Sequence, residues 1–333
     1  MTDISLIEAA AQRLKGHARR TPLLHSPDLD RVAGRRVLVK AECLQHTGSF
    51  KFRGGWSAVS ALPPDQRAQG VIAFSSGNHA QGVASAAREH GVPAVIVMPR
   101  DAPKLKIANT RELGAEIVLY DRETEDRDAI GVRLAEDRGL NLIKPFDNPQ
   151  VIAGQGTTGL EIAEQAAELG ISQADVVVPC GGGGLSSGIA LALEDRAPGL
   201  RLRTAEPIGF DDVARSLVSG QIETNDVVSG SVCDAILTPS PGRLTFPILK
   251  RLAGPGMVVA DADCMRAMVQ AFLRLKVVLE PGGAAALAAA LYQPKRIEGE
   301  TVIVVASGGN VDAPFFHHVL EIYGDESGGR RKG

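Results

Sequence analysis

Short runs of β-branched and other aliphatic residues recur along the chain, and they restrict the folds that it can adopt. Continuous apolar runs of this kind are typical of parallel strands, which are buried on both faces. Alanine-rich stretches of helical character separate the runs, at 82–89, 159–169, 185–193 and 283–291. Strands that alternate with helices predict an α/β protein with doubly wound sheets. The runs lie at 36–40, 71–74, 94–98, 116–119, 175–179, 202–205 and 302–306.

Length and composition fit a globular protein of two α/β lobes. The chain has 333 residues, of which 44% are apolar and 23% are charged, and its net charge is -3. No extended basic run provides the electrostatic attraction that nucleic acid binding requires. The first residues lack the basic start and apolar block of a signal peptide, and no stretch has the length to span a bilayer. We therefore expect a cytoplasmic protein that binds neither nucleic acid nor membrane.

The four cysteines predict neither a zinc cluster nor a disulfide framework. They are widely spaced along the chain and form no CxxC pair. Scattered cysteines of this kind are most often buried thiols. They are Cys43, Cys180, Cys233 and Cys264.

Glycine and small polar residues are concentrated just after three of the predicted strands. The segments are SSGNHAQG at 75–82, CGGGGLSSG at 180–188 and SGGN at 307–310. In doubly wound sheets, ligands bind outside the carboxyl ends of the strands. We therefore expect the three segments to form one shared site.

A lysine at a predicted helix start is the first candidate for chemistry. Lys51 follows a Gly-Ser turn in the segment TGSFKFRGG at 47–55. The positive end of the helix field and apolar neighbours lower the pKa of such a lysine and favour imine chemistry. Taken alone, the same pattern also suits a surface lysine.

A run of four glycines between a strand and a helix predicts a phosphate site. Residues 181–184 follow the strand DVVVP and precede a helix, so consecutive backbone N–H groups can surround a phosphate dianion. Side chains would block that close approach, which explains the glycines. A flexible loop is the alternative interpretation. A nucleotide P-loop is excluded, because no Lys-Ser/Thr pair follows the glycines.

Five motifs in order resemble the fold type II pyridoxal-phosphate (PLP) enzymes, and in particular the serine/threonine dehydratases and serine racemase. The motifs are SFKFRGG at 49–55, SSGNHAQG at 75–82, GGGGL at 181–185, EPGGAA at 280–285 and SGGN at 307–310. The resemblance implies a tryptophan synthase β-like fold of two doubly wound lobes, with the cofactor in the cleft between them. We expect a large lobe at 1–48 and 148–320, a small lobe at 49–147 and a disordered tail at 321–333.

The resemblance also implies roles for individual residues. Lys51 would carry the cofactor as a Schiff base, Asn78 would bind the ring hydroxyl, and Ser307 would face the pyridine nitrogen. Ser76 would act on the face of the cofactor opposite the lysine. The other cofactor contacts would come from Phe50, Gly181, Gly182, Gly183, Gly184 and Leu185. The substrate would be bound by Ser49, Ser75, Ser76, Asn78 and His79.

The implied enzyme is a PLP-dependent carbon–oxygen lyase, that is, a dehydratase or ammonia-lyase of amino-acid catabolism. Lys51 would remove the Cα proton of L-threonine, L-serine or 3-hydroxyaspartate. Loss of the β-hydroxyl as water, an α,β-elimination, would then give an imino or 2-oxo acid and ammonia. Racemisation of the serine racemase type is the alternative, and a β-replacement synthase is a third possibility. The resemblance also implies a homodimer.

Two cations favour an acidic substrate without deciding the choice. His46 directly precedes the turn at 47–50, and Arg127 lies in the acidic stretch TEDRDA. Both resemble positions that approach a second carboxylate in relatives, which would favour 3-hydroxyaspartate. The acidic neighbours of Arg127 equally suit a solvated helix face, and serine or threonine would then be the substrate.

Two carboxylates after the predicted strand at 202–205 suggest a metal site. Glu206 and Asp212 flank a backbone carbonyl in the segment EPIGFDD, a pattern that suits a hard cation. In racemase-like relatives, positions resembling Glu206, the carbonyl of Phe210 and Asp212 bind Mg²⁺ or Mn²⁺. An acidic surface turn is the alternative interpretation.

Overall fold

The computed structural model describes residues 2–75, 77–102, 104–121 and 123–325, which form two β-sheets and the helices around them. The strands are β1 (Leu23–His25), β2 (Arg36–Lys40), β3 (Val71–Phe74), β4 (Ala94–Pro99), β5 (Glu116–Tyr120), β6 (Asn141–Leu142), β7 (Ala174–Pro179), β8 (Leu200–Pro207), β9 (Met257–Val259) and β10 (Thr301–Val305). The helices are α1 (Ile4–Leu14), α2 (Pro27–Ala33), α3 (Lys51–Ser60), α4 (Pro64–Gln69), α5 (Asn78–Glu89), α6 (Lys104–Glu112), α7 (Arg127–Arg138), α8 (Pro149–Glu168), α9 (Gly184–Arg196), α10 (Asp212–Ser219), α11 (Thr245–Leu252), α12 (Asp261–Leu275), α13 (Pro281–Tyr292) and α14 (Ala313–Tyr323). Within the described ranges, none of the helices combines the length and the apolar character needed to cross a membrane.

The two sheets differ in how their strands follow the chain. The six-stranded sheet has the order β1-β2-β10-β7-β8-β9, in which β1 is antiparallel to β2 and the other neighbours are parallel. The four-stranded sheet has the order β5-β4-β3-β6 and is parallel throughout. Its strands all lie between residues 71 and 142, inside the range predicted for the small lobe. The lobe boundaries themselves stay a prediction.

The α/β fold class is confirmed, and each of the seven predicted strands occurs. The sequence did not indicate β1, β6 and β9, because a strand of two or three residues carries no periodicity. The four cysteines are buried free thiols, as predicted.

The prediction of a disordered tail is wrong at its first residues. Residues 321–323 form the last turn of α14, because the helix packs on the core through the buried Val319 and the partly buried Leu320 and Tyr323. Residues 326–333 lie outside the described part of the chain.

The helix that begins at Lys51 is held by close backbone contacts. A Cβ atom added at Gly55 of α3 would lie 2.6 Å from the carbonyl carbon of Gly82 in α5. A Cβ atom added at Gly154 of α8 would collide with the carbonyl oxygen of Arg53. Because real Cβ atoms do not approach other atoms so closely, these glycines allow α5 and α8 to pack directly on α3. The start of α3 is thereby fixed relative to both helices.

A buried ionic cluster joins α3 to the six-stranded sheet. Arg53 donates to Glu42 through Nε and Nη2, both at 2.8 Å, and to Glu161 of α8 at 2.7 and 2.9 Å. Lys40, at the end of β2, binds the same Glu161 at 2.5 Å. Burial raises the pKa of Glu42, but the charges of Arg53 and Lys40 outweigh burial and lower that pKa overall. These four residues are called the Arg53 cluster below.

We expect the substitution Arg53→Met to lower the free energy of unfolding by about 3–5 kcal/mol, because it leaves the fully buried carboxylate of Glu42 without the guanidinium that pairs with it. Arg20→Met is the matched control, since Arg20 pairs with Glu168 at 2.6 Å but its side chain is 48% exposed. The control should change the free energy of unfolding by less than about 1 kcal/mol. Urea denaturation at a fixed protein concentration measures both. Equal losses in the two variants would contradict the role of the cluster.

Candidate active site

A cleft opens at the carboxyl ends of strands from both sheets. Ser75 directly follows β3 and Gly181 comes shortly after β7, and both line the cleft. The carbonyl oxygen of Ser307, which lies shortly after β10, accepts a hydrogen bond from the backbone N–H of Phe50 at 3.1 Å. The three glycine-rich segments therefore meet, as expected for strand ends of this fold. Of the predicted site residues, the described lining contains Phe50, Lys51, Ser75, Asn78, His79, Arg127 and 181–185.

Lys51 begins α3, and its amine lies in the cleft. Nζ donates to the carbonyl oxygen of Pro145 at 2.8 Å and lies 5.2 Å from the centre of the Phe50 ring. Burial lowers the pKa of Lys51 to about 8, because a buried site disfavours the charged ammonium. An amine with this pKa is partly neutral near pH 7 and can act as a nucleophile or as a base.

The glycine run after β7 forms a concave backbone surface at the N-terminus of α9. Gly183 caps the helix with a φ of 89°, a conformation that favours glycine. A Cβ atom at Gly182 would collide with the ring of Phe146, and one at Gly184 would lie 3.0 Å from Oε1 of Gln155. The N–H groups of a helix start and the helix dipole make this surface suited to a phosphate.

Two polar side chains beside the glycine run were not identified from the sequence. The carboxamide of Gln155 is fully buried, and neither Oε1 nor Nε2 has a hydrogen-bond partner among the described residues. Oγ1 of Thr238, which lines the cleft, is also buried without a partner in the described ranges. Because buried polar groups are normally hydrogen-bonded, both side chains can serve a ligand or a bound water. They are distant from the glycines in sequence, and no motif marks them.

Asn78 begins α5 and is held at both ends of its carboxamide. Nδ2 donates to Oε1 of Glu280 at 2.5 Å, and Oδ1 accepts from Nδ2 of Asn310 at 2.8 Å. Glu280 in turn accepts from Nζ of Lys106 at 3.0 Å. Lys106 lines the cleft and is buried. The sequence singled out Asn78 but gave no signal for Lys106, which belongs to no motif.

His79 lines the cleft as a neutral side chain. Its Nε2 donates to the carbonyl oxygen of Ile143 at 2.9 Å. Burial, and after it the charge of Lys51, lowers the pKa of His79 to about 3. His79 therefore cannot act as a general acid near neutral pH.

The predicted serines lie in different surroundings. Ser49 is fully buried, and its Oγ has no hydrogen-bond partner in the part of the chain that the structure describes. Oγ of Ser75 accepts from the backbone N–H of Gly77 at 3.1 Å. Ser76 lies outside the described residues, so its role stays a prediction.

The structure separates the two cations that were predicted to bind a second carboxylate. Arg127 begins α7 and lines the cleft, and its guanidinium carbon lies 5.6 Å from the centre of the Phe74 ring. His46 lies in a different depression, where its ring centre is 5.0 Å from that of Phe52. Arg127 therefore shares a cleft with Lys51, and His46 is not part of the described lining of that cleft.

The two carboxylates predicted to bind a metal are fully buried, so the alternative of an acidic surface turn is wrong. Glu206 accepts from the backbone N–H groups of Val213 and Ala214, both at 2.8 Å. Oδ1 of Asp212 accepts from Asn225 at 2.7 Å, and its Oδ2 is buried without a partner among the described residues. Burial raises the pKa of Asp212 to about 7, and burial together with the charge of Asp212 raises that of Glu206.

A metal at this position would also need backbone oxygen ligands. In the described ranges, no group of three or more His, Cys, Asp or Glu side chains is placed to hold a metal ion. Phe210, whose carbonyl was predicted as a ligand, lies between the two carboxylates in sequence and is 3% exposed.

Comparison with known proteins agrees with this geometry. The family model "Pyridoxal-phosphate dependent enzyme" matches residues 14–308. An L-threo-3-hydroxyaspartate ammonia-lyase of Pseudomonas sp is 44% identical over 94% of this chain and 96% of its own length. A serine racemase of Arabidopsis thaliana is 39% identical over 93% of each chain. The solved structure of a threonine deaminase from T.th. has a TM-score of 0.87 at 43% identity and covers 93% of this chain and 99% of its own.

We expect the amine of Lys51, in the protein freed of bound ligand, to react with acetic anhydride with a midpoint near pH 8, because only the neutral amine is nucleophilic. Competitive labelling over a pH series, followed by peptide mass spectrometry, measures the midpoint. Exposed lysines are the internal reference, since an ordinary lysine has a pKa of about 10.4. A midpoint for Lys51 equal to that of the reference lysines would argue against the buried setting of its amine.

Proposed function

Because the chain belongs to the pyridoxal-phosphate dependent enzymes, we propose that it is an ammonia-lyase that eliminates water from a small 3-hydroxy amino acid, with 3-hydroxyaspartate as the preferred substrate. The observation that carries the choice of substrate is the cleft that Arg127 shares with Lys51. The similarity to a protein named L-threo-3-hydroxyaspartate ammonia-lyase supports the same choice. L-Threonine and L-serine are the alternative substrates of the same reaction.

The cleft fits PLP. Residues 181–184 would offer backbone N–H groups to its phosphate, and Lys51 would offer an amine to its aldehyde. Asn78 and Ser307 are the proposed contacts of its ring. When bound, the cofactor supplies an electron-withdrawing ring that acidifies the Cα hydrogen of the attached amino acid.

Lys51 is the proposed base for the Cα proton. With a pKa of about 8, roughly a tenth of the amines are neutral at pH 7. The carbonyl oxygen of Pro145, 2.8 Å from Nζ, accepts one hydrogen of the amine and so restricts its rotation. His79 does not compete for this role, because its Nε2–H is bonded to the carbonyl of Ile143 and the low pKa of about 3 makes the ring a weak base.

Arg127 is the proposed contact for the second carboxylate of 3-hydroxyaspartate. A guanidinium can bind a carboxylate through two parallel hydrogen bonds. The ion pair that Arg127 makes with Asp128 is weak, since Nε and Oδ2 are 3.4 Å apart and the Asp128 side chain is 58% exposed. The guanidinium of Arg127 lies over the ring of Phe74, and the attraction between the cation and the ring face stabilises this position. Arg127 can therefore exchange Asp128 for a substrate carboxylate.

We expect Arg127→Met to lower kcat/KM for L-threo-3-hydroxyaspartate by about 10–100-fold, the effect of losing a charged hydrogen bond of roughly 1.5–3 kcal/mol. The values for L-serine and L-threonine should change by less than about threefold, because these substrates lack a second carboxylate. Arg133→Met, at an exposed arginine of the same helix, is the matched control. Release of ammonia and 2-oxo acid by the PLP-loaded enzyme measures each value.

Two outcomes of this assay would count against the proposal. Equal losses on all three substrates would rule out the role of Arg127, and a wild-type preference for serine or threonine would rule out the proposed substrate. Chiral analysis of the remaining amino acid tests racemisation, the alternative that the similarity to serine racemases supports. A homodimer is a further proposal that rests on the family resemblance, and light scattering of the purified protein tests it. The cytoplasmic location stays a prediction from the sequence.

We also propose that Mg²⁺ or Mn²⁺ binds between Glu206 and Asp212, with the carbonyl of Phe210 as a further ligand. Two carboxylates buried side by side repel each other, and a cation would remove that repulsion. Oδ2 of Asp212 is buried and has no hydrogen-bond partner among the described residues, which supports the binding of a ligand at this position. Oxygen donors of this kind suit hard divalent cations.

Millimolar Mg²⁺ should raise the melting temperature of the chelator-treated, PLP-loaded enzyme by several degrees, because a cation that binds the folded state stabilises it. Asp212→Asn should abolish the shift. Asp211→Asn, at the neighbouring and partly exposed carboxylate, is the matched control and should retain it. Differential scanning calorimetry measures the shift, and an equal shift in wild type and Asp212→Asn would exclude this site.

A further inference from the structure

A row of buried polar contacts links Lys106 to the active-site residue Asn78 and continues beyond it. Nζ of Lys106 donates to Oε2 of Glu280 at 3.0 Å, and Oε1 of Glu280 accepts from Nδ2 of Asn78 at 2.5 Å. Oδ1 of Asn78 accepts from Nδ2 of Asn310, which also donates to the carbonyl oxygen of Thr47, both at 2.8 Å. Lys106 and Glu280 are each 3% exposed and Asn78 is 9% exposed. These five residues are called the polar relay below.

Groups that can only accept hydrogen bonds fix the orientation of both carboxamides in the polar relay. The carbonyl of Thr47 can only accept, so Asn310 turns its NH₂ group toward it, and the second hydrogen of that group meets Oδ1 of Asn78. An ionised Glu280 can likewise only accept, so it faces the NH₂ group of Asn78. One N–H of Asn78 is left uncommitted within the relay, and it can be donated to a ligand in the cleft.

The orientation of Asn78 therefore depends on the charge of Glu280. A protonated Glu280 could instead donate a hydrogen bond to Asn78. The carboxamide of Asn78 could then turn its oxygen toward Glu280 in place of its NH₂ group. Burial lowers the pKa of Lys106, but nearby carboxylates outweigh burial and raise that pKa, so Lys106 stays a cation beside Glu280. The other titratable groups described around this pair are Asp234, Asp312 and the thiol of Cys43.

We propose that Lys106 is a positioning residue of the active site. Its ammonium pairs with and donates to the carboxylate of Glu280, that carboxylate accepts from and fixes the carboxamide of Asn78, and Asn78 thereby keeps one N–H for the cofactor. The inference rests on the proposed function, in which Asn78 contacts PLP. An isolated buried carboxylate takes up a proton far more readily than a paired one. Removal of Lys106 should therefore make the orientation of Asn78 dependent on pH.

The test is the dissociation constant of PLP from the full-length protein, measured by equilibrium dialysis from mildly acidic to mildly alkaline pH. At mildly acidic pH, Lys106→Met should bind PLP about tenfold more weakly than wild type, the effect of one lost hydrogen bond. At mildly alkaline pH the affinity of Lys106→Met should approach that of wild type, because a carboxylate that lacks its cationic partner still loses its proton at higher pH. Lys106→Arg should restore wild-type affinity throughout. Lys104→Met, at an exposed lysine of α6, is the matched control and should stay within about twofold.

Glu280→Gln is a second variant with a different expected pattern. The introduced carboxamide would turn its oxygen toward Lys106 and its NH₂ group toward Asn78, so PLP should bind about tenfold more weakly at every pH. A loss in Lys106→Met that does not vary with pH, or wild-type affinity in Glu280→Gln, would overturn the proposal. Glu280→Gln decides the question even where Lys106→Met does not fold, as judged by circular dichroism. Turnover tests the substrate preference in the proposed function, whereas cofactor affinity tests the role of Lys106. The proposed function and this inference can therefore fail separately.

Discussion

The Arg53 cluster is the interaction on which the rest of the molecule most depends. Arg53 lies two residues after Lys51 on α3, so the charges that hold Arg53 also hold the start of the helix that carries the Lys51 amine. Glu42 follows β2 and Glu161 lies on α8, and one guanidinium therefore ties a strand end and two helices together. Desolvation opposes the net stability of a buried ion pair. The cluster contributes mainly by fixing relative positions, because the donors of a planar guanidinium can bind two carboxylates in only a few arrangements.

Long buried strands could be predicted from the sequence, whereas direct contacts between helices could not. The apolar runs of β7 and β10 indicate burial whatever their neighbours are. The predicted helix at 159–169 begins too late, since α8 already starts at Pro149. Gly154 and Gly156 weaken the helical pattern there, although a Cβ at either would collide with a neighbouring element. A glycine required by a tertiary contact looks, in sequence alone, like a residue that ends a helix.

In the candidate site, the residues that directly follow strands could be predicted from the sequence. The contacts between residues that are far apart in the sequence could not. Asn78 and the glycine run follow a strand each, so the topology of a doubly wound sheet places them in one cleft. Lys106 and Glu280 are 174 residues apart, and no local pattern relates them. His46 lies in a turn of three residues, directly before Thr47, which has a φ of 60°. Such a short turn has no periodicity, so the direction of the His46 side chain could not be inferred from the sequence.

The position of β10 in the larger sheet affects the order in which the protein can fold during synthesis. β10 pairs with β2 on one side and with β7 on the other. β1 and β2 are therefore separated from the rest of their sheet until residues 301–305 have left the ribosome. The strands of the smaller sheet lie within 71–142 and can pair much earlier. A nascent chain that stalls before β10 should thus contain a folded smaller sheet without a complete cleft, and its exposed strand edges would be open to chaperones and to aggregation.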